Sequence, residues 1–297
     1  MFPRKELPTS FSPNRRLTRR PALGKPNRPG PTRVREPDRG PRYASSMTGR
    51  RFPAVTIRIG TAGWSIPRQT ADKFSGEGSA LERYASRLSA AEINSSFHLS
   101  HRLSTWQRWH DSVPEHFRFS VKLPKTITHV RKLVNCEVEL DEFFEQATVL
   151  GAKLGVLLVQ LPPKHVFDPA AAQTFFKAMS DRIGVEIACE PRHPSWFAPA
   201  ADRLLISLGV SRVAADPSIC EAAARPGGWR GLSYWRLHGS PVIYRSSYRD
   251  RIQHFAEQLT ADAAASRDVW CIFDNTASSE GAGDALRLSE RLAADGA

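Results

Sequence analysis

The sequence lacks several features that would identify a class of protein at once. No apolar run approaches the roughly eighteen residues of a membrane-spanning helix, which favours a soluble protein. The turn after the first predicted strand, TAGWSIP, contains no G-x-G-x-x-G, so an open dinucleotide-binding sheet is disfavoured. No two cysteines form a Cys-x-x-Cys pair, which favours reduced structural thiols in a cytoplasmic protein. The four cysteines are Cys136, Cys189, Cys220 and Cys271.

Net charge is nearly absent from the chain after residue 52. Of the formal charge of +12, residues 1–52 carry +11, from 14 Lys and Arg against three acidic residues. The remaining residues are close to neutral, so their charge gives no support to a nucleic-acid-binding surface.

The basic segment 1–52 is predicted to be a disordered Arg/Pro-rich tail. It holds nine prolines and few large apolar side chains, so it cannot bury enough surface to offset the entropy of ordering. Its proline density argues against an amphipathic transit peptide. An alternative is that translation starts at Met47, shortly before the first strand, and that the tail is a gene-start artefact.

From residue 55 to 297, short β-rich runs alternate with segments of helical spacing. Leu81, Tyr84, Ala85 and Leu88 follow the i, i+3, i+4, i+7 pattern of a helix, and segment 252–259 does the same. The stretch 217–232 lacks this periodicity, which predicts a degenerate sixth crossover. Eight strands alternating with helices over about 240 residues predict a single TIM-type (β/α)₈ barrel in the α/β class. The predicted strands are 56–61, 90–95, 117–123, 154–161, 185–190, 211–216, 233–238 and 269–274.

Polar side chains recur at the carboxyl ends of nearly all eight predicted strands. In a barrel these ends meet at one mouth, where the active site normally lies. So many ionisable groups are costly to bury unless they pair or serve a site, which favours a functional mouth over structural networks alone. The predicted site residues are Trp64, Glu92, Asn94, Lys122, His129, Gln160, Glu190, Arg192, His193, Trp196, Asp216, Arg236, His238, Asp274 and Asn275.

At these residues the chain resembles the domain-of-unknown-function-72 family, also called YecE-like. The segments that carry the resemblance span most of 57–290 in order. The resemblance implies a TIM-type barrel whose strand-end residues form the family's mouth, but it implies no reaction. The family's barrel is similar to those of endonuclease-IV-like and xylose-isomerase-like enzymes, and a shared fold does not fix function. The segments are GTAGWSIPR (60–68), EINSSF (92–97), FRFSVKLPKTITH (117–129), LGVLLVQLPP (154–163), CEPRHPSWF (189–197), RVAADP (212–217), YWRLHGSP (234–241) and CIFDNTA (271–277).

The first functional hypothesis is that the mouth binds a small anionic ligand, either a phosphorylated sugar or a nucleotide-like compound. Lys122 and Arg236 would neutralise its charge, and Trp64 or Trp196 would stack on a sugar or base. The remaining non-catalytic residues of the predicted set would complete the ligand site. In a catalytic version, a hydrolase or a lyase, the acid–base groups would be Glu190, His238, Glu92 and His193.

Besides glycoside hydrolysis by Glu92 and Glu190 as a carboxylate pair, whose separation the sequence does not give, two alternatives remain open from the sequence. The first is a metal-dependent phosphoesterase or endonuclease-IV-like hydrolase, but no compact His-rich metal motif is present, and basic residues in the mouth would repel a divalent ion. The second is a non-catalytic ligand-binding or scaffold protein. The substrate, the need for a cofactor and the oligomeric state are left open. The candidate metal ligands are Glu92, Glu190, His193, Asp216, His238 and Asp274.

Overall fold

A computed structural model describes residues 56–266 and 268–296. The predicted N-terminal tail, residues 1–52, lies outside the described residues. The strands within the described part of the chain are β1 (Thr56–Ala62), β2 (Ala90–Ile93), β3 (Arg118–Lys122), β4 (Leu154–Gln160), β5 (Glu186–Glu190), β6 (Val210–Arg212), β7 (Ala214–Asp216), β8 (Gly227–Gly228), β9 (Leu232–Leu237) and β10 (Asp268–Phe273).

Helices follow most of the parallel strands and cover the outside of the sheet. No helix of the described residues has the length and apolar character needed to cross a membrane. The α-helices are α1 (Ala80–Ala85), α2 (Leu103–Asp111), α3 (Glu137–Ala147), α4 (Pro169–Ser180), α5 (Pro199–Ser207), α6 (Ile252–Ala263) and α7 (Gly281–Asp295).

The strands form a nearly closed, mostly parallel barrel, which confirms the predicted fold class. The sheet order is β7-β9-β10-β1-β2-β3-β4-β5-β6-β8. The predicted strand 211–216 is broken at Val213, so that β6 pairs with β5 while β7 pairs with β9 on the other side. The two halves of this interrupted strand therefore pair with the strands on either side of it, and this pairing closes the (β/α)₈ barrel.

The sixth crossover is degenerate, as its sequence predicts. Between β7 and β9 the chain forms only the 3₁₀ turn Glu221–Ala224 and the short strand β8, which pairs antiparallel with β6. Gly228 in β8 has a φ of +65°, and a Cβ at Gly227 would lie 2.0 Å from the Arg212 guanidinium. Gly228 therefore requires glycine, because a Cβ there would also lie 2.5 Å from the Val210 carbonyl oxygen, whereas at Gly227 the Arg212 side chain would have to move.

The interior of the barrel changes from apolar to polar along each strand. Because side chains alternate between the faces of a strand, residues two apart share a face. On β9 the inward face passes from Leu232 through Tyr234 to Arg236, and the apolar side chains of this layer pack against Trp270 on β10. The lower barrel is therefore filled by apolar and aromatic side chains, and the polar layer begins where they end.

Candidate active site at the barrel mouth

A single arginine, Arg236, lies at the centre of the polar layer. Its Nε and Nη2 donate to Glu92 Oε2 and Oε1 at 3.0 and 2.7 Å. Nη1 donates to Glu190 Oε2 at 2.7 Å, and Nη2 also donates to Asp274 Oδ2 at 2.9 Å. The Arg236 side chain is fully buried, so strands β2, β5 and β9 and the end of β10 are tied together by one guanidinium.

Glu190 connects this central arginine to a histidine and a second arginine nearer the solvent. Its Oε1 lies 2.8 Å from His238 Nε2 and 2.7 Å from Arg192 Nη2, and Arg192 Nη2 lies 3.0 Å from the same imidazole nitrogen. The Glu190 side chain is 1% exposed, whereas that of Arg192 is 20% exposed. Arg192 therefore lies on the solvent side of the Glu190–His238 contact.

His238 lies between two carboxylates. Its Nδ1 is 3.1 Å from Asp274 Oδ2, on the opposite side of the ring from Glu190. The direction of these hydrogen bonds depends on which nitrogen carries hydrogen. In either case the imidazole links a buried carboxylate to Asp274, whose side chain is partly exposed.

The electrostatic environment keeps Glu190, Asp274 and Arg236 ionised. Burial alone would raise the pKa of Glu190, but Arg236, Arg192 and His238 hold the pKa of this carboxyl well below its usual range. For Asp274 the balance has the same direction, because Arg236 and His238 outweigh burial and lower its pKa. Burial would lower the pKa of Arg236, but the three carboxylates raise it well above its usual range. Mutual pairing thus compensates for the removal of these charges from water.

Tyr234 and Ser120 form the floor of the polar layer, and the sequence analysis missed both. The Tyr234 hydroxyl lies 3.1 Å from Glu92 Oε2 and 2.7 Å from Ser120 Oγ. Burial and the charge of Glu92 raise the pKa of Tyr234 well above its usual range, so the phenol keeps its hydrogen. A sequence signal existed, because Tyr234 and Ser120 lie two residues before Arg236 and Lys122 and share their inward face.

Lys122 is a cation of the mouth whose ammonium has no direct polar partner among the described residues. Its Nζ makes no hydrogen bond or salt bridge with any described residue, and it lies 4.2 Å from the centroid of the Phe97 ring. Burial lowers the pKa of Lys122 and the charge of Arg236 lowers it further, which together outweigh the opposite effect of the nearby carboxylates Glu92, Glu190 and Asp274. Phe97, which the sequence analysis did not single out, is thus the immediate neighbour of this amine.

Further polar groups near Lys122 also have unused hydrogen-bonding capacity. Asn94 Oδ1 is buried and has no partner among the described residues. The Gln160 side chain makes no hydrogen bond within the described part of the chain, and Gln160 lies beside Glu190 in the sheet register. His129 lies edge-on to Phe97, at 5.0 Å between ring centroids. Burial first, and Lys122 second, lower the pKa of the His129 imidazole.

Two predicted site residues hydrogen-bond elsewhere. Asp216 accepts hydrogen bonds from Arg251 Nη1 and Nη2 at 2.9 and 2.7 Å and from the Tyr248 hydroxyl at 2.8 Å. His193 Nδ1 accepts from the Ser195 amide at 3.2 Å, which caps the 3₁₀ turn Pro194–Phe197. The structure therefore does not bring Asp216 or His193 into contact with Arg236.

The predicted tryptophans and Asn275 pack into the scaffold. Trp196 is fully buried and donates its indole hydrogen to the His165 carbonyl at 2.9 Å. Trp64 is partly buried and packs edge-on against Trp109, at 5.3 Å between centroids. Asn275 is fully buried and donates to Asp284 Oδ2 at 2.8 Å. Trp196 and Asn275 thus have no surface open to a ligand.

The donor set at the centre of the mouth fits a guanidinium better than a divalent cation. Three of the predicted metal ligands, Glu92, Glu190 and Asp274, each direct a carboxylate oxygen at Arg236. Within residues 56–266 and 268–296, no three His, Cys, Asp or Glu side chains are arranged to hold a metal ion. A cation placed among these carboxylates would have to displace Arg236 or be repelled by it.

The fold and the mouth define the class of protein: a (β/α)₈ barrel with a buried ion-pair cluster at the carboxyl ends of its strands. The chain belongs to the family "Protein of unknown function DUF72", whose model matches residues 58–297. The resemblance seen in the sequence is thereby confirmed.

Relatives and solved structures agree with this assignment. The UPF0759 protein YecE of Escherichia coli (strain K12) is 28% identical over 173 residues, covering 56% of this chain and 61% of YecE. YecE of Escherichia coli O157:H7 is 26% identical, and again the match spans about three fifths of the relative, 62%. A DUF72 family protein of Enterococcus faecalis V583 superimposes with a TM-score of 0.69 at 22% identity, covering 80% of this chain and 96% of that one. A DUF72 family protein of Thermotoga maritima MSB8 gives 0.64 at 18% identity, covering 80% and 99%. At these identities the structures support the fold alone.

Proposed function

We propose that the mouth binds a small anionic ligand, a phosphorylated sugar or a nucleotide-like compound, and that Lys122 holds its anionic group. The observation that carries the proposal is the unpaired ammonium of Lys122. In a cluster where three carboxylates are matched to Arg236, Arg192 and His238, Lys122 alone has no hydrogen-bonding partner among the described residues. A partly buried ammonium without a direct hydrogen-bonding partner is unfavourable, and an anion that contacts it would supply that partner.

The neighbours of Lys122 support the same ligand class. Asn94 offers a buried acceptor without a donor, and Gln160 offers a free amide. Such groups bind hydroxyls, which both sugar phosphates and nucleotides carry. Arg192, the exposed arginine of the cluster, adds positive potential at the entrance.

We assign proton transfer on the bound ligand to His238, with Glu190 as its electrostatic partner. The lowered pKa of Glu190 makes this carboxylate a weak proton acceptor, so it suits the stabilisation of nearby positive charge. The His238 ring contacts both Glu190 and the partly exposed Asp274. Because the His238 side chain is only 2% exposed, a side chain that packs on it, Arg192 or Tyr244, has to move before a ligand can touch the ring.

A metal-dependent phosphoesterase is supported less well by this geometry, because Arg236 satisfies the carboxylates that would have to bind the ion.

For the location of the protein we propose the cytoplasm. The support is that all four cysteines are free thiols and that three of them are buried.

Isothermal titration calorimetry at low ionic strength tests the proposal, with ribose 5-phosphate and adenosine monophosphate as probes. The wild-type protein should bind at least one probe, and Lys122→Met should weaken that binding by roughly 10- to 100-fold, the value of one charge-assisted contact. Lys177→Met, a remote exposed lysine on α4, is the matched control and should bind like the wild type. Binding of neither probe, or equal binding by Lys122→Met, contradicts the proposal.

A further inference from the structure

The exposed apolar side chains of the described residues are concentrated at one end of the barrel. Eleven large apolar residues are exposed, and eight of them lie on loops that leave the carboxyl ends of strands. The loops that lead back into the strands at the opposite end carry none within the described part of the chain. Single exposed apolar side chains are normal on a protein surface, but a collection on one face indicates an interaction surface.

Five of these apolar residues, here called the rim, flank the mouth on opposite sides. Leu99 follows β2, Val130 follows β3 and Val166 follows β4, whereas Val242 and Ile243 follow β9. Their exposed fractions lie between 47% for Ile243 and 66% for Leu99 and Val130. In the barrel, β3 and β9 are separated by β10, β1 and β2 in one direction, and by β4, β5 and the interrupted β6–β7 strand in the other. A flat surface placed over the mouth can therefore meet both sides of the rim at once.

Basic side chains lie beside the rim. Each loop that carries the rim also carries at least one exposed Lys or Arg, and none of five such cations makes a salt bridge with a described residue. Lys125, Leu99 and Val130 line the same cavity, so charge and apolar surface are neighbours in space as well as in sequence. The five cations are Arg102, Lys125, Lys132, Lys164 and Arg245.

Acidic side chains are scarce in the same loops. Segments 94–102, 123–136 and 238–248 contain no Asp or Glu, and segment 161–168 contains only Asp168, whose carboxylate caps α4. The acidic residues lie on other elements, since α3 alone carries five Asp or Glu and no Lys or Arg. The loops that carry the rim therefore hold an excess of positive charge, although the charges after residue 52 sum to nearly zero.

We propose that the rim and its five cations dock on an anionic lipid membrane surface, with the mouth facing the bilayer. Aliphatic side chains enter the boundary between headgroups and acyl chains, and neighbouring Lys and Arg side chains attract anionic headgroups. Docking of this kind needs no membrane-spanning helix. The inference goes beyond the proposed ligand and does not depend on it, because Lys122 is the last residue of β3 and belongs to no loop of the rim.

The aliphatic character of the rim favours a membrane over the other large polyanion, a nucleic acid. Lys and Arg side chains would contact the phosphates of either partner. Exposed Leu, Val and Ile side chains, however, offer a nucleic acid neither hydrogen bonds nor aromatic rings for stacking.

Co-sedimentation of the full-length chain with lipid vesicles at physiological salt tests the charge component. The wild type should bind mixed phosphatidylcholine–phosphatidylglycerol vesicles at least about tenfold more tightly than pure phosphatidylcholine vesicles. Lys125→Gln combined with Lys132→Gln should weaken binding to the anionic vesicles by roughly 25-fold, about fivefold for each residue. The matched control, Lys177→Gln with Arg203→Gln, removes the same charge from exposed positions on α4 and α5 and should bind like the wild type.

The apolar component is tested without a change of charge. Leu99→Ser should weaken binding to the anionic vesicles several-fold, because an exposed aliphatic side chain no longer enters the bilayer boundary. Ile206→Ser is the matched control, since Ile206 is an exposed side chain of the same size that lies on α5 and not on a loop of the mouth. It should bind like the wild type.

The position of the contact is measured as well, because residues 1–52 carry a charge of +11 and can attract anionic vesicles by themselves. Hydrogen–deuterium exchange of the full-length chain should show that anionic vesicles protect the amides of 94–102, 123–136 and 238–248. Absence of this protection, or equal binding by the lysine variant and the wild type, would assign vesicle binding to the basic segment and overturn the proposal. Weaker binding by the lysine variant together with unchanged binding by Leu99→Ser would indicate a general polyanion surface, such as one for nucleic acid, and would overturn it too.

Discussion

Arg236 and Glu92 form a two-pronged ion pair in the interior of the barrel. Arg236 Nε lies 3.0 Å from Glu92 Oε2, and Arg236 Nη2 lies 2.7 Å from Glu92 Oε1. These contacts join β9 to β2, and both side chains are fully buried. Such a pair persists only where geometry and further hydrogen bonds compensate for lost hydration. The same arginine also contacts Glu190 and Asp274, so the polar layer behaves as one coupled unit.

Removal of the central cation should destabilise the fold strongly. In Arg236→Met the apolar volume is largely kept, but Glu92, Glu190 and Asp274 lose their shared partner and become buried, mutually repelling charges. We expect the free energy of unfolding to fall by at least about 3 kcal/mol, measured by urea denaturation. Lys177→Met, which removes an exposed i,i+4 pair with Asp181, should change it by less than about 1 kcal/mol. Similar losses in the two variants would mean that the cluster contributes no more than a surface ion pair.

The lowered pKa values of Glu190 and Asp274 predict loss of stability in acid. A carboxyl whose pKa is lower in the folded state stabilises the fold above its unfolded pKa. That stability is lost as the pH falls through the folded value. The free energy of unfolding should therefore decline from about pH 4.5, the ordinary value for Glu, downward.

Glu190→Gln provides the test of this pH dependence. With one titrating group removed, the slope of unfolding free energy against pH below about 4.5 should be shallower, by at most roughly 1.4 kcal/mol per pH unit. Glu145→Gln, on the exposed face of α3, should leave the slope as it is. A slope in Glu190→Gln identical to that of the wild type would show that Glu190 does not carry the effect.

Asp216 should matter for stability and not for ligand affinity. Its carboxylate is held by both Nη atoms of Arg251 and by the Tyr248 hydroxyl. Asp216→Asn removes the charge and should lower the free energy of unfolding by about 1 kcal/mol, a modest value because Arg251 is 40% exposed. Ribose 5-phosphate and adenosine monophosphate should bind as they do to the wild type. A loss of affinity with unchanged stability would move Asp216 into the ligand site.

Removal of divalent ions should leave ligand binding intact. The carboxylates of the mouth are paired with Arg236, and the proposed anion contact is the ammonium of Lys122. Protein dialysed against EDTA should bind adenosine monophosphate with the affinity of untreated protein in calorimetric titration. Loss of binding that zinc or manganese restores would favour the metal-dependent alternative instead.

The barrel could be predicted from the sequence because each strand carries its own signal. Buried parallel strands are apolar on both faces, and all eight predicted strands appear, with ends shifted by at most two residues and the sixth broken at Val213. The position of the polar layer was also predictable, since the two-residue period places Tyr234, Arg236 and His238 on one face.

The partners within the mouth could not be predicted, because pairing depends on distances across the barrel. Glu92 and Arg236 are 144 residues apart in sequence, and nothing local to either marks the other. For the same reason Asp216, which is predicted with the mouth, pairs with Arg251 from the turn before α6. A cavity lined by Phe97 and Trp106 arises from the loops after β2 and β3 together with α2 and α3, and periodicity carries no information about such a cavity.

The most direct test of the account compares the stability of Lys122→Met with its response to ligand. If the Lys122 ammonium stabilises the fold, its replacement should lower the free energy of unfolding. If its role is to bind an anionic ligand, its replacement should not. Urea unfolding should show a free energy within about 1 kcal/mol of the wild type, or higher. The contact with Phe97 and the attraction of Glu92, Glu190 and Asp274 are lost, but so are the desolvation of the ammonium and its repulsion by Arg236. Adenosine monophosphate should stabilise the wild type and not the variant. A variant that is clearly less stable than the wild type, yet equally stabilised by the nucleotide, would contradict the account.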